Sequence, residues 1–216
     1  MYVYLLPQNT KHKRARKALL ELTVRQAKEV IQKRIDQYGV REPTIAVYGS
    51  GDIKDQIVID GLQYCNWNRA LFEDVWNGGI TAIHATLVYW ENTQESFQKI
   101  DNWEKHIYDN QDIICHAKNV NDILTAKKNN KVAFIFGFQN SGPINNNIFL
   151  IEKFYSRGLR FMQLTYNNQT SLAGGCYEKN DSGVSRFGYA VIEEMNRLGM
   201  IIDLSHAGKK TCLDAI

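Results

Sequence analysis

The chain has 216 residues, of which 44% are hydrophobic and 23% are charged, with a formal net charge of +3. This length allows one or two domains with a sizeable core. So small a net charge gives no reason to expect a nucleic-acid partner, and no apolar run reaches the roughly 18 residues that a membrane span needs.

The cysteines and the amino-terminal segment favour a cytoplasmic protein. Cys65, Cys115, Cys176 and Cys212 are scattered, and no two are spaced as CxxC. In the opening MYVYLLPQNTKHKR the apolar run is short and the charges follow it, which is the reverse of a signal peptide. We therefore expect a cytoplasmic protein with reduced thiols.

The first 40 residues predict a basic amphipathic helix. KALLELTVRQAKEVIQKRIDQYG places its apolar residues on one stripe, and Gly39 stands where a helix cap is expected. Its basic face favours a solvated surface, and binding to an anionic surface is the alternative. We expect an N-terminal extension over residues 1–40 and a main domain over residues 41–216.

Strands and helices alternate after this segment. Apolar runs that end in polar residues predict five strands, which begin at Ile57, Ile80, Lys131, Leu159 and Met200. Amphipathic segments between them predict helices, and the alternation predicts βαβ units in a parallel sheet buried on both faces. No GxGxxG or Walker pattern follows a strand, so a nucleotide-binding open sheet is not expected.

A (β/α) barrel is the favoured architecture, because its strand ends converge on one face. A complete barrel has eight units and usually about 250 residues. Here the five strands are followed by the start of a sixth helix at the segment Cys212 to Ile216. We therefore expect an α/β protein with a (β/α)8 TIM barrel that is truncated after about five to six units.

The most specific motif is EEMNRLGMIIDLSHAG, at residues 193–208. It follows a strand at Ile59-Asp60-Gly61, then AFIFGFQN and GLRFMQLTYNN. These motifs, in this order, resemble the membrane (renal) dipeptidase family of zinc metallopeptidases, which are barrels of the metallo-dependent hydrolase type. The resemblance covers roughly Ile57 to Ile216 and does not include the N-terminal helix. It implies proteolysis of dipeptides or hydrolysis of related small amides by a zinc-bound hydroxide.

Several metal-binding positions of the family are substituted in this chain. The resemblance places Leu62 and Tyr64 where the family has a histidine and an aspartate that bind metal. Gln139 stands for the bridging glutamate and Tyr166 for a substrate-contacting histidine, whereas His206 matches a histidine that binds the second metal. Leucine cannot bind zinc, and a phenol with a pKa near 10 is a poor ligand.

The resemblance therefore implies a degenerate metal site. We expect at most one zinc ion, on His206, with Gln139 and Tyr166 as catalytic candidates and with Tyr64 and Asn167 in contact with a small dipeptide-like substrate. A metal-free polar cluster of these side chains is the alternative. A homodimer is expected because members of the family often pair.

A second hypothesis is a catalytically inactive protein that kept the fold and binds a small molecule or a partner. Five aromatic residues near the strand ends would suit a pocket for a neutral ligand: Tyr64, Trp67, Tyr89, Trp90 and Tyr166.

Other polar side chains are interpreted mainly as structural. Asp60 would anchor the end of its strand, Asp203 would lie on the strand face opposite His206, and His84 would be a core or barrel-interior histidine. Glu91, or Cys65 with Cys176, could replace lost ligands, but cysteines without a pattern are more often small buried residues. Three histidines are expected on the surface: His12, His106 and His116.

Overall fold

The computed structural model describes residues 56–216, so the predicted N-terminal helix and the boundary at residue 40 lie outside the described part. Its strands are β1 (Ile59–Gln63), β2 (Ala82–Val88), β3 (Ile114–His116), β4 (Val132–Phe138), β5 (Leu159–Gln163) and β6 (Ile201–Asp203). Its helices are α1 (Arg69–Asn77), α2 (Thr93–Asp109), α3 (Val120–Lys128), α4 (Phe149–Ser156), α5 (Arg186–Leu198) and α6 (Lys209–Ala215). A short 3-10 helix covers Gly142–Ile144.

The strands form one parallel sheet. Its hydrogen-bonded order is β1-β2-β4-β5-β6, and β3 pairs with β4 as well. β3 lies along the beginning of β4, from Val132 to Phe134, whereas β5 lies along its end, from Phe136 to Phe138. The five predicted strands and their parallel arrangement are confirmed.

β3 is not predicted by the sequence. It has three residues and lies between α2 and α3, in a segment for which no element was predicted. The expectation that His116 is a surface residue is wrong, because its imidazole stacks on Phe136 with ring centroids 3.8 Å apart. Burial, together with the nearby charge of Lys118, lowers the pKa of His116 to about 4.

The two faces of the sheet differ in what covers them. On the outer face Phe134, Phe136 and Phe138 are buried and belong to the core that includes Phe72 and Trp103 of the surrounding helices. Ala82, Ala133 and Ile135 belong to a second, smaller cluster, which also includes Ala126 of α3 and against which Phe161 packs. β4 alternates between these faces residue by residue, as a strand must.

The helices begin and end at residues that satisfy their backbone groups. α2 and α3 start with capping boxes, formed by Asn92 with Glu95 and by Asn119 with Asp122. α5 ends at Gly199, whose φ of 74° is the left-handed conformation common at helix ends. None of the helices between residues 56 and 216 is both long enough and apolar enough to cross a membrane.

Candidate active site at the carboxyl ends of the strands

Rings from four strand ends meet in one aromatic cluster, which we define as Tyr64, Tyr89, Trp90, Tyr166 and His206. Tyr166 is its centre: the centroid of its ring lies 4.5 Å from that of His206 and 5.4 Å from those of Tyr89 and Trp90. Tyr64 completes the cluster by packing on Tyr89 at 4.5 Å. The segments that follow β1, β2, β5 and β6 thus bring together residues up to 142 positions apart in the chain, Tyr64 and His206.

The phenol of Tyr89 is held in its neutral form. Burial, a hydrogen bond with Tyr64 and the charge of Glu91 raise the pKa of Tyr89 well above its ordinary value. A neutral phenol both donates and accepts hydrogen bonds. Tyr89 therefore presents a polar group without charge, which suits the amide and carbonyl groups of a small ligand.

Gln139 lies at the end of β4 and is buried, with 4% of its surface exposed. Its backbone nitrogen donates to the carbonyl of Val88 at 2.9 Å, next to Tyr89 of the cluster. Its side-chain nitrogen donates to Oγ1 of Thr86 at 2.8 Å. The amide is thus held by β2 through Thr86, a partner that the sequence analysis did not identify.

His206 is held by a hydrogen bond and by its ring contact with Tyr166. Its Nδ1 lies 2.7 Å from Oδ1 of Asn167. Both residues have left-handed backbone conformations, with φ of 64° at His206 and 62° at Asn167. Such values are uncommon outside glycine and are found mostly at asparagine, aspartate and histidine.

A nearby loop forms hydrogen bonds with the backbone of Asn167 and of His206. We call the segment from Gly174 to Tyr177 the clasp. Within it, Cys176 N donates to His206 O and Tyr177 N donates to Asn167 O, each at 2.9 Å. A side chain at Gly175 would overlap the carbonyl of Asn167, so this position requires glycine. The glycine pair 174–175 is the only signal in the sequence that could have indicated this close approach.

Other predicted residues have structural partners. Asp60 accepts from the backbone nitrogen of Leu62 at 3.3 Å and from the amide of Gln63 at 2.6 Å, which confirms it as a strand-end anchor. Asp203 accepts from Ser205 N at 2.8 Å and from the Gln163 amide at 3.1 Å. These bonds tie the ends of β1 and β6 in place.

The remaining candidates divide between the core and the strand ends. His84 is buried as predicted, with 2% of its surface exposed. Trp67 is not part of the aromatic cluster, so that expectation is wrong; it stacks on Phe72 in the outer core. Glu91 accepts from the backbone nitrogens of Tyr89 at 2.8 Å and Trp90 at 3.1 Å, so its carboxylate holds the turn after β2.

The residues at this site do not fit a pair of zinc ions. Zinc prefers imidazole, thiolate and carboxylate ligands, whereas the aromatic cluster offers phenols and a single imidazole, and Gln139 beside it offers an amide. Between residues 56 and 216 no group of three or more histidine, cysteine, aspartate or glutamate side chains is arranged to hold a metal ion. The chemistry that these residues themselves support is the binding and orientation of a ligand.

Comparisons with known proteins give a consistent assignment. Residues 8–216 match the sequence model of the family described as membrane dipeptidase (peptidase family M19). The match begins upstream of Ile57, so the expected start of the resemblance is wrong. The chain is 35% identical over 103 residues to an uncharacterized dipeptidase of Schizosaccharomyces pombe. It is 37% identical over 83 residues to dipeptidase 3 of Mus musculus.

Solved structures show the same fold. An amidohydrolase from Pseudomonas aeruginosa superposes with a TM-score of 0.74 at 40% identity, covering 76% of this chain and 50% of that one. The probable dipeptidase PvdM from the same organism superposes with a TM-score of 0.66 at 16% identity over 76% of this chain and 50% of that one, and shows the fold alone. The aligned residues amount to 44% of this chain and 24% of the S. pombe protein, and to 36% of this chain and 17% of the mouse protein.

Proposed function

Because the chain belongs to the membrane dipeptidase family (peptidase family M19), we propose that it is a dipeptidase-like hydrolase of dipeptides or related small amides. The observation that carries this proposal is the packing of Tyr166 on His206 at 4.5 Å, at the carboxyl ends of adjacent parallel strands. In barrels of this kind substrates bind at that face.

The aromatic cluster supplies the binding surface in this proposal. A dipeptide lies against the rings of Tyr166 and Tyr64, and their phenol hydroxyls donate hydrogen bonds to its carbonyl oxygens. His206 presents one ring nitrogen to the ligand, either as a general base or as a ligand for a single zinc ion. Gln139, beside Val88, offers its side-chain oxygen as a hydrogen-bond acceptor.

Binding without hydrolysis is the second candidate function, and one observation favours it. The amide of Gln139 carries no charge, and its nitrogen is committed to Thr86 at 2.8 Å. It therefore cannot bridge two cations as a carboxylate does. A protein with this substitution keeps a surface for a small amide while lacking the charge that a two-metal hydrolase uses.

Metal analysis and a dipeptide panel separate the two functions. The full chain is purified without chelator, its zinc content is measured, and hydrolysis of a set of dipeptides is followed with and without added zinc. If the protein is a hydrolase, we expect turnover that is lost in His206→Ala. Turnover should be kept in Tyr177→Ala, because the side chain of Tyr177 is 75% exposed. Saturable binding with no turnover under either condition favours the second function, and neither turnover nor binding contradicts both.

Localisation and assembly are further parts of the proposal. A cytoplasmic location is supported by four cysteines that are all free in the described structure.

A homodimer is proposed from the family alone. Light scattering on the purified chain measures its mass, and a monomer at micromolar concentration contradicts the dimer.

A further inference from the structure

The hydrogen bond between Asn167 and His206 bears on which ring nitrogen of the imidazole carries the proton. Oδ1 of Asn167 lies 2.7 Å from Nδ1 of His206. An amide oxygen can only accept, so Nδ1 must carry the proton. In a neutral imidazole the lone pair then lies on Nε2.

A second contact supports this orientation of the amide. The thiol of Cys176 lies 3.5 Å from the same Oδ1 atom. A thiol is a weak donor, so two donors converge on one oxygen. With the amide turned over, its two N–H donors would face the thiol and the ring instead, and the thiol would lose its acceptor.

The backbone around the pair leaves the two side chains little freedom. The clasp bonds the carbonyls of both residues through Cys176 N and Tyr177 N at 2.9 Å. The hydroxyl of Thr165 also donates to His206 O at 3.2 Å. Tyr166 packs on the face of the imidazole, Asn167 bonds to its edge, and the hydrogen bonds to His206 O hold the backbone of the residue.

We infer that Asn167 is a positioning residue, which fixes His206 in the tautomer protonated on Nδ1 and so presents the Nε2 lone pair to the ligand. The hydrogen-bond partner of one ring nitrogen sets the protonation state of the other. This holds whether Nε2 acts as a base or as a metal ligand. The consequence for catalysis rests on the proposed function, whereas the tautomer itself does not.

Three substitutions separate the side chain of Asn167 from its backbone. Asn167→Asp keeps an acceptor for Nδ1–H. Asn167→Leu keeps a similar volume without an acceptor. Asn167→Gly also removes the acceptor but suits the left-handed backbone at this position, so it should fold even if the leucine variant does not.

The readout is the imidazole tautomer, measured by ¹⁵N–¹H NMR on the full chain with labelled histidine at pH 8. The signal of His206 is assigned by its loss in His206→Ala. We expect the Nδ1–H form in the native chain and in Asn167→Asp, and a mixture or the Nε2–H form in Asn167→Gly. Dipeptide turnover or binding should fall about tenfold or more in Asn167→Gly and Asn167→Leu and be retained in Asn167→Asp.

An Nε2–H tautomer in the native chain would overturn the inference, and so would an unchanged Nδ1–H form in both Asn167→Gly and Asn167→Leu. If no dipeptide is hydrolysed or bound but the tautomer depends on Asn167 as described, the proposed function fails while the positioning role stands. If turnover is found and neither turnover nor the tautomer depends on Asn167, the inference fails and the proposed function stands. If the tautomer depends on Asn167 but turnover does not, the positioning role stands and its consequence for catalysis fails.

Discussion

The imidazole of His84 occupies the space beside Gly137 that a side chain on β4 would need. Its ring crosses this glycine and stacks on Phe161 of β5, with centroids 4.2 Å apart. Its Nδ1 donates to the carbonyl of Gly61 at 2.8 Å. One histidine on β2 therefore contacts β1 and β5, and it reaches β5 across β4 because residue 137 has no side chain.

Gly137→Ala should lower the free energy of unfolding by about 1–3 kcal/mol, because overpacking forces the backbone or His84 to move. Urea denaturation measures the loss. The matched control is the same substitution in the His84→Ala background, because removing the imidazole opens the space beside residue 137. Ala133→Gly is not a matched control. The cost of Gly137→Ala should largely disappear in the His84→Ala background; an equal cost in both backgrounds would contradict the overlap.

Acidification should destabilise the protein through His116. Its pKa in the folded chain is about 4, against about 6.5 when unfolded, so the unfolded chain binds more protons between these values. Stability from the neutral ring is fully present above pH 6.5 and is lost as the pH falls towards 4, by about 2–3 kcal/mol.

The variant His116→Phe tests this dependence, because it keeps a ring against Phe136 without a titrating group. Thermal unfolding is followed from pH 8 to pH 4.5. The variant should lose less stability than the native chain over this range, although His84, whose pKa is also lowered by burial, leaves part of the slope. Parallel curves for the two proteins would contradict the assignment; the measurement at pH 8 isolates any packing cost.

Asp181 should stabilise the start of α6 from a distant loop. Its carboxylate accepts from the backbone nitrogens of Lys210 and Gly183 and from the hydroxyl of Thr211 at 3.2 Å. Asp181→Ala should cost about 1 kcal/mol, as the loss of a helix cap does. Chemical denaturation checks this against Asp74→Ala, an exposed aspartate on α1. Equal midpoints for the two variants would show that the contacts contribute nothing.

Tyr166→Ala should weaken the binding of a dipeptide by about tenfold or more. The substitution removes the ring that contacts Tyr89, Trp90 and His206, and an aromatic pair contributes about 0.5–1.5 kcal/mol beyond buried area. Titration calorimetry measures the affinity. Tyr166→Phe keeps the ring and should bind nearly as the native chain does, and Tyr177→Ala serves as the exposed control. Unchanged affinity in Tyr166→Ala would remove the cluster from the site.

The sequence predicts the main strands because each is a continuous apolar run with a polar end. It does not predict β3, since Ile114, Cys115 and His116 form too short a run to distinguish from a loop, and the strand exists through its pairing with β4. The aromatic cluster is largely predictable, as Tyr64, Tyr89, Trp90 and Tyr166 follow strands that must converge. The exception is Trp67, which the chain turns towards Phe72.

The details around His206 are not predictable in the same way. The clasp depends on a loop that returns from residue 174 to residue 177 and bonds two residues in left-handed conformations. No periodicity indicates such a return, and only the tertiary fold decides which carbonyls the loop meets. The pairing of Gln139 with Thr86 is similar, because it depends on which residues of β2 and β4 lie side by side.

Because β3 is short, the sheet is narrower at the carboxyl-terminal end of β4 than it would be with a full-length β3. At its amino-terminal end β4 is flanked by β2 and β3, but β3 stops at His116, and from Phe136 onward β5 takes the same edge. Neighbouring strands lie about 4.8 Å apart, so a third strand running the full length would have moved β5 outward by about that distance. The narrowing is what lets Tyr166 reach Tyr89 from two strands away, and lengthening β3 would pull the two rings apart.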